Sequence, residues 1–215
     1  MIDSYVITLK EQPWKRDITL PHFHRHGLNP KIVWGVSGFA LALRPSNPYS
    51  IGVSGAPEYI HPVQVGCCLS HISALQMAVA IGTDEFIVFE DDAELCEGFE
   101  QKWPKFRESI PDDVGIVQLE NMHSDKHYTK RINDHLSRCY YPFGSAAIWW
   151  RKKVAEEAIN MIRPIDMPYD ILLIRRVYPF FGHAIPNEKL VGQRSATGQW
   201  PSAVGDAMKT GLNVY

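Results

Sequence analysis

Two short runs, EFIVFE at 85–90 and VGIVQLE at 114–120, are apolar at nearly every position until each ends on a carboxylate. A run this short and this uniformly apolar reads as a central strand covered on both faces, not as a half-exposed strand with alternating polarity. Between and around these runs lie segments with helical spacing. Leu69, Ile72, Leu75 and Val79 recur at three- and four-residue intervals before Gly82, and Gly98–Ile110 and Lys152–Ile162 read as further helices. Tyr5–Leu9, Lys31–Val36, Gly144–Trp150 and FFGHAI (180–185) read as additional strands. Strands alternating with helices predict an α/β fold with a mainly parallel central sheet and helices on both faces. Pro21 is expected to interrupt or restart a helix over Trp14–His26, and Leu43–Val63 reads as a long irregular excursion.

The 215 residues carry 45% apolar and 21% charged side chains with a formal net charge of −2. That balance describes an ordinary globular chain and gives no basic stripe for nucleic acid. The N-terminal stretch has no apolar core of the kind a leader or anchor requires, and no run is expected to reach the length that spans a bilayer. The expected location is therefore cytoplasmic, with peripheral recruitment as the route to a membrane. Cys67, Cys68, Cys96 and Cys139 read as reduced thiols. A zinc site from Cys67, Cys68 and His71 is the competing reading; it lacks the usual paired spacing.

The chemistry concentrates where the first apolar run ends, at Glu90, Asp91 and Asp92. Three adjacent carboxylates at a buried strand end repel one another, and a divalent cation is one thing that makes the arrangement favourable. Ligands in open α/β sheets bind beyond the carboxyl ends of the strands, which is where these residues fall. Alternation along the chain predicts that Glu90 and Asp92 project to one side and Asp91 to the other. Two carboxylates so placed can hold Mn²⁺ or Mg²⁺. A solvated acidic turn, or an Asp capping the next helix, is the competing structural reading.

The chain resembles glycosyltransferase family 25, the group of lipooligosaccharide and collagen galactosyltransferases. The resemblance rests on YVITL at 5–9, VGCCLSH at 65–71, FIVFEDDA at 86–93, FGSAAIWWRKKVAEEA at 143–158 and MPYDILL at 167–173, in that order. The Pro-rich region and the tail match nothing in the family pattern. The resemblance implies a GT-A-like nucleotide-sugar domain over 1–191 with a flexible tail over 192–215. It implies a metal-dependent, inverting transfer of a hexose from a nucleotide sugar, a UDP-sugar, to a glycan or glycoconjugate hydroxyl. Asp92 is then the principal metal ligand, with Glu90 on the ribose or a metal-bound water and Asp91 in support. Asp170 is the candidate base, against a reading as a helix N-terminal Asp. Thr8 and Leu9 fall where the base and ribose lie, and Arg16, Ser70, His71, Gln193 and Arg194 are candidate donor contacts. His183 is a candidate third metal ligand, and one of Trp149 and Trp150 is a candidate sugar-stacking ring. Two other functions fit the same acidic cluster: a nucleotidyltransferase or phosphohydrolase, and a non-catalytic glycan- or nucleotide-binding module.

Overall fold

The computed structural model describes residues 2–42, 60–120, 129–198 and 200. Among the described residues, ten strands and six α-helices run in the order β1 (Asp3–Thr8), α1 (Pro13–Arg25), β2 (Lys31–Trp34), α2 (Gly38–Ala42), α3 (Pro62–Ile81), β3 (Glu85–Glu90), β4 (Ala93–Leu95) and α4 (Phe99–Glu108). Then come β5 (Val114–Gln118), β6 (Thr129–Arg131), β7 (Leu136–Cys139), β8 (Ala147–Arg151), α5 (Lys152–Met161), α6 (Tyr169–Leu172), β9 (Gly182–Pro186) and β10 (Val191–Gln193). A π-helical turn, Leu173–Val177, extends α6.

Eight strands form one sheet in the order β2-β1-β3-β8-β5-β9-β7-β6. β1 pairs in parallel with β2 and β3, and β5 pairs in parallel with β9. β8 lies antiparallel between β3 and β5. The consequence is positional. β1, β3 and β5 finish at one edge of the sheet, and β8 starts at that same edge, so its leading loop, Gly144–Ala146, faces their carboxyl ends.

Alternation along the central strands splits the core into two layers. Phe86, Val88 and Trp150 face α3, α5 and α6, packing with Ile72, Leu75, Ala155 and Leu172. Ile87, Phe89 and Trp149 face α1 and α4, packing with Phe23, Phe99, Trp103 and Phe106. Both tryptophans are therefore core, each fully buried on its own face, and neither is the sugar-stacking ring that the sequence offered.

Several boundaries differ from expectation for identifiable reasons. Pro21 lies inside α1 without breaking it, because it sits on the exposed side, where its ring and the carbonyl it leaves unbonded meet solvent. α3 begins at Pro62, four residues before Gly66, because His61 caps it. His61 Nδ1 accepts from Val63 N and Gln64 returns a bond to His61 N. Gly82 ends the helix in the left-handed conformation, at φ 92°. By length and composition alone α3 passes for a membrane span, as the core helix of a globular protein also does. Its composition reflects packing: half of the apolar window is enclosed, between the sheet on one side and α2, α5 and α6 on others. The expected tail boundary at 191/192 divides β10, which pairs antiparallel with β4 through Gly192↔Glu94 and Gln193↔Ala93. Of that expected tail, 199 and 201–215 lie outside the described residues, as do 43–59 of the irregular excursion and 121–128.

Within the VGCCLSH stretch the structural residues are Gly66 and Ser70. A Cβ on Gly66 would stand 2.6 Å from Val36 O and 2.8 Å from Gly38 N. Ser70 Oγ donates to Gly66 O at 2.6 Å and accepts from Val36 N at 2.8 Å, fastening the β2–α2 connection onto α3. Replacing Gly66 by Ala should push these backbones apart and cost about 1–3 kcal/mol. Thermal unfolding by circular dichroism should show a melting temperature several degrees lower.

Candidate active site

The edge where β1, β3 and β5 end carries a cavity of about 430 Å³. Its walls include Thr8, Leu9 and Lys15 from the β1–α1 side, Cys67, Ser70 and His71 from α3, and Glu90–Asp92 after β3. Gly144, Ser145, Tyr169, Asp170, Gln193 and Ser195 also line it. Six segments distant in sequence supply these residues to one space.

The three acids do not share one direction. Glu90 Oε1 takes hydrogen bonds from His71 Nε2 at 3.0 Å and Ser145 Oγ at 2.5 Å. Burial acts to raise its pKa, but the histidine and the serine, helped by Lys15, overcome that and bring it below the usual value. Asp91 turns toward α1, with Oδ1 3.8 Å from Lys15 Nζ, while its backbone oxygen accepts from Thr19 Oγ1 at 2.5 Å. Burial lifts the Asp91 carboxyl to about 6 against the pull of Lys15. Asp92 Oδ2 accepts from Gln193 Nε2 at 3.2 Å and Ser195 Oγ at 2.5 Å, and Arg194 N donates to Asp92 O at 2.9 Å. Asp92 Oδ1 is buried without a hydrogen-bond partner. Burial, followed by the charge of Glu90, raises the Asp92 pKa. Glu90 and Asp92 both line the cavity, each anchored by a different segment of the chain.

The loop before β8 organises the remaining carboxylates. Gly144 N donates to Asp170 Oδ2 at 3.2 Å, Ser145 Oγ donates to Glu90, and Ala146 N donates to Glu120 Oε1 at 2.8 Å. Gly144 adopts φ +96°, and a Cβ there would stand 2.5 Å from Glu120 Oε1, so this position requires glycine on two counts. Asp170, in the first turn of α6, also accepts from Ile171 N at 2.9 Å. Its neighbour Tyr169 stacks on His71 with centroids 4.0 Å apart, linking Asp170 to the histidine that holds Glu90.

Of the residues singled out in the sequence, Thr8, Leu9, Ser70, His71, Glu90, Asp91, Asp92, Asp170 and Gln193 line the cavity. Ser70 does so with its hydroxyl spent on backbone groups. Arg16, Arg194 and His183 are not among the lining residues. Arg16 is bound to Asp17 and lies over Trp34. Arg194 lies over Trp200, 3.7 Å from Glu94, so only its backbone serves Asp92. His183 Nε2 faces Cys139 O at 2.7 Å, a geometry in which that nitrogen carries the proton and donates, and its ring stacks on Tyr178. These contacts hold His183 outside the cavity lining, so the structure does not bring it to the acidic cluster as the expected third metal ligand.

Sequence reasoning missed Lys15, Ser145, Ser195 and Glu120. Lys15 sits in a polar stretch that reads as surface, yet it is 6% exposed. Glu120 ends the second apolar run as Glu90 ends the first, and that parallel was the available signal. It is 2% exposed, and burial, with the charge of Glu90 next, pushes its carboxyl to about 8. The folded state therefore holds a proton on Glu120 that the unfolded chain releases near its ordinary value, so this group erodes stability as pH rises from about 4.5 to 8. Glu120→Gln should remove that contribution. Urea unfolding at pH 5, 6.5 and 8 should show the variant gaining on the parent protein toward pH 8, by roughly 1–3 kcal/mol.

The whole arrangement has relatives. The model of "Glycosyltransferase family 25 (LPS biosynthesis protein)" matches residues 1–173. The chain is 24% identical over 182 residues to the Bos taurus "Probable inactive glycosyltransferase 25 family member 3", covering 76% of this chain and 30% of that protein. It is 27% identical over 116 residues to human "Procollagen galactosyltransferase 2", covering 50% and 18%. It thus spans less than a third of the length of these curated relatives. Among solved structures, a glycosyltransferase involved in glycosylation of the major capsid of PBCV-1 superposes with a TM-score of 0.50 at 10% identity, covering 85% of this chain and 80% of that one. That likeness speaks for the fold, and the expected GT-A-like α/β architecture stands. With the family pattern running from β1 into the π-helical turn after α6, this chain belongs to glycosyltransferase family 25.

Proposed function

We propose that the cavity is the donor site of a metal-dependent glycosyltransferase that moves a hexose from a nucleotide sugar, a UDP-sugar, to a hydroxyl of a glycan or glycoconjugate with inversion. The observation that carries this reading is the charge of the cavity wall. Glu90, Asp91, Asp92 and Asp170 face it, and Lys15 is the one lysine or arginine among its described lining residues. A wall of that sign repels a diphosphate unless a divalent cation stands between them. The residues fit such a cation: Asp92 offers a buried oxygen, Oδ1, that nothing else engages, at the end of a central strand. When bound there, Mn²⁺ or Mg²⁺ would screen the diphosphate and stabilise charge on the departing phosphate.

The chain's own groups divide the remaining work. Gln193 and Ser195 hold Asp92 Oδ2 so that Oδ1 is the free oxygen. His71 and Ser145 fix Glu90, which is left to meet the ribose. Gly144 N and Ile171 N orient the Asp170 carboxylate, which takes the proton of the attacking hydroxyl as it adds to the anomeric carbon. Lys15 supplies positive charge beside Asp91 and lines the cavity, where it would attract a phosphate oxygen.

A second reading, a non-catalytic binding module, has support in the relatives named inactive. One experiment separates the two. Calorimetry with a panel of UDP- and GDP-sugars, with and without Mn²⁺, is run beside an assay of nucleotide release. Mn²⁺-dependent binding with release of free nucleotide supports transfer. Binding without turnover supports the module, and appearance of sugar-1-phosphate or pyrophosphate supports nucleotidyl or phosphohydrolase chemistry. Asp92→Asn should weaken Mn²⁺-dependent donor binding by about a hundredfold or more. Asp170→Asn should leave donor binding within about twofold and lower turnover by roughly 10²–10⁴.

A further inference from the structure

α3 brings a second set of metal-ligating atoms to the cavity, apart from Asp92. Cys67, His71 and Glu90 each offer one ligand atom, and the three atoms lie within 4.8 Å of one another. Among the described residues this is the one trio of His, Cys, Asp or Glu found so close, and Asp92 does not belong to it. Cys67 and His71 lie four residues apart on α3, hence on one face of the helix, and that face meets the end of β3. The zinc set weighed from the sequence paired Cys67 with Cys68. Cys68 instead turns into the core, its Sγ against Met167 O at 3.7 Å, and Glu90 takes the third place.

We infer that Cys67 Sγ, His71 Nε2 and Glu90 Oε1 form a binding site for a thiophilic divalent cation of the Zn²⁺ class, with a fourth position open to the cavity. Tetrahedral bonding to sulfur, nitrogen and oxygen at zinc distances sets ligand atoms roughly 3.3–3.6 Å apart. His71 Nε2 and Glu90 Oε1 are already 3.0 Å apart, so closure asks for a shift of about 1 Å, chiefly at the Cys67 side chain. The proton balance is local. Coordination takes the thiol proton of Cys67 to solvent. It also requires the Nε2 lone pair of His71, so the ring proton moves from Nε2 to Nδ1. That nitrogen is buried and has no partner in this structure, and the residue is 1% exposed. The sulfur ligand sets the preference: hard cations such as Mg²⁺ and Mn²⁺ gain little from it, whereas a thiophilic cation forms the thiolate on binding.

The site does not rest on the transferase reading, and its test needs no turnover. Co²⁺ is titrated into the purified chain while the near-ultraviolet thiolate-to-cobalt charge-transfer band is followed, with Zn²⁺ used to displace it. The band should appear in the parent protein at one equivalent and survive in Cys68→Ser and Asp92→Asn. It should vanish in Cys67→Ser, with Zn²⁺ affinity lower by more than about tenfold. Cys67→Ala serves as the second variant, and thermal unfolding checks that each is folded. Absence of the band in the folded parent protein, its survival in both Cys67 variants, or its loss in Asp92→Asn would overturn the assignment.

Discussion

One reversed strand makes the rest of the structure possible. Because β8 runs antiparallel between β3 and β5, the loop entering it arrives at the edge where its neighbours leave. Three consecutive residues of that loop then each serve a different acid: Gly144 holds Asp170, Ser145 holds Glu90 and Ala146 holds Glu120. A wholly parallel sheet would put the amino end of this strand at the far side. The acids would then meet solvent or one another, without backbone amides to receive them.

The electrostatics of the cavity follow from burial working against charge repulsion. The wall collects carboxylates at densities that water alone would tolerate, then withdraws the water. Each acid reaches a different settlement. Glu90 is held ionised by histidine and serine, Asp91 faces a lysine, and Asp92 shares one oxygen with two donors and keeps the other free. Glu120, farther back, keeps a proton. These are four environments within one short stretch of sheet edge, and they are set by which segment each side chain faces.

The sequence made some of this legible because the relevant physics is local. Apolar runs ending on carboxylates located the edge of the sheet, and helical spacing located α3 with its Gly82 stop. What could not be read was where distant segments meet. Glu120 reads as a strand end until β8 supplies its amide. Lys15 reads as surface because its long stem lets a charged residue lie buried with its ammonium at a cavity. His183 reads as a ligand, yet the fold places it against Cys139 O and outside the cavity lining, and the residues after 191 read as tail because β10 is short and its partner β4 lies about a hundred residues away. Alternation holds as far as Glu90, where β3 ends; beyond it the partners of Asp91 and Asp92 come from distant segments that the local pattern does not show.

The bonds from Asp92 to Gln193 and Ser195 span 101 and 103 residues. This carries a timing consequence. At ordinary synthesis rates, Asp92 emerges roughly 5–20 s before the residues that will hold it. For that interval the nascent chain carries its acidic turn without the partners that later fix it, and closing so long a loop is among the entropically costlier steps of its folding. The geometry that leaves one Asp92 oxygen free is thus acquired late, when β10 adds to β4.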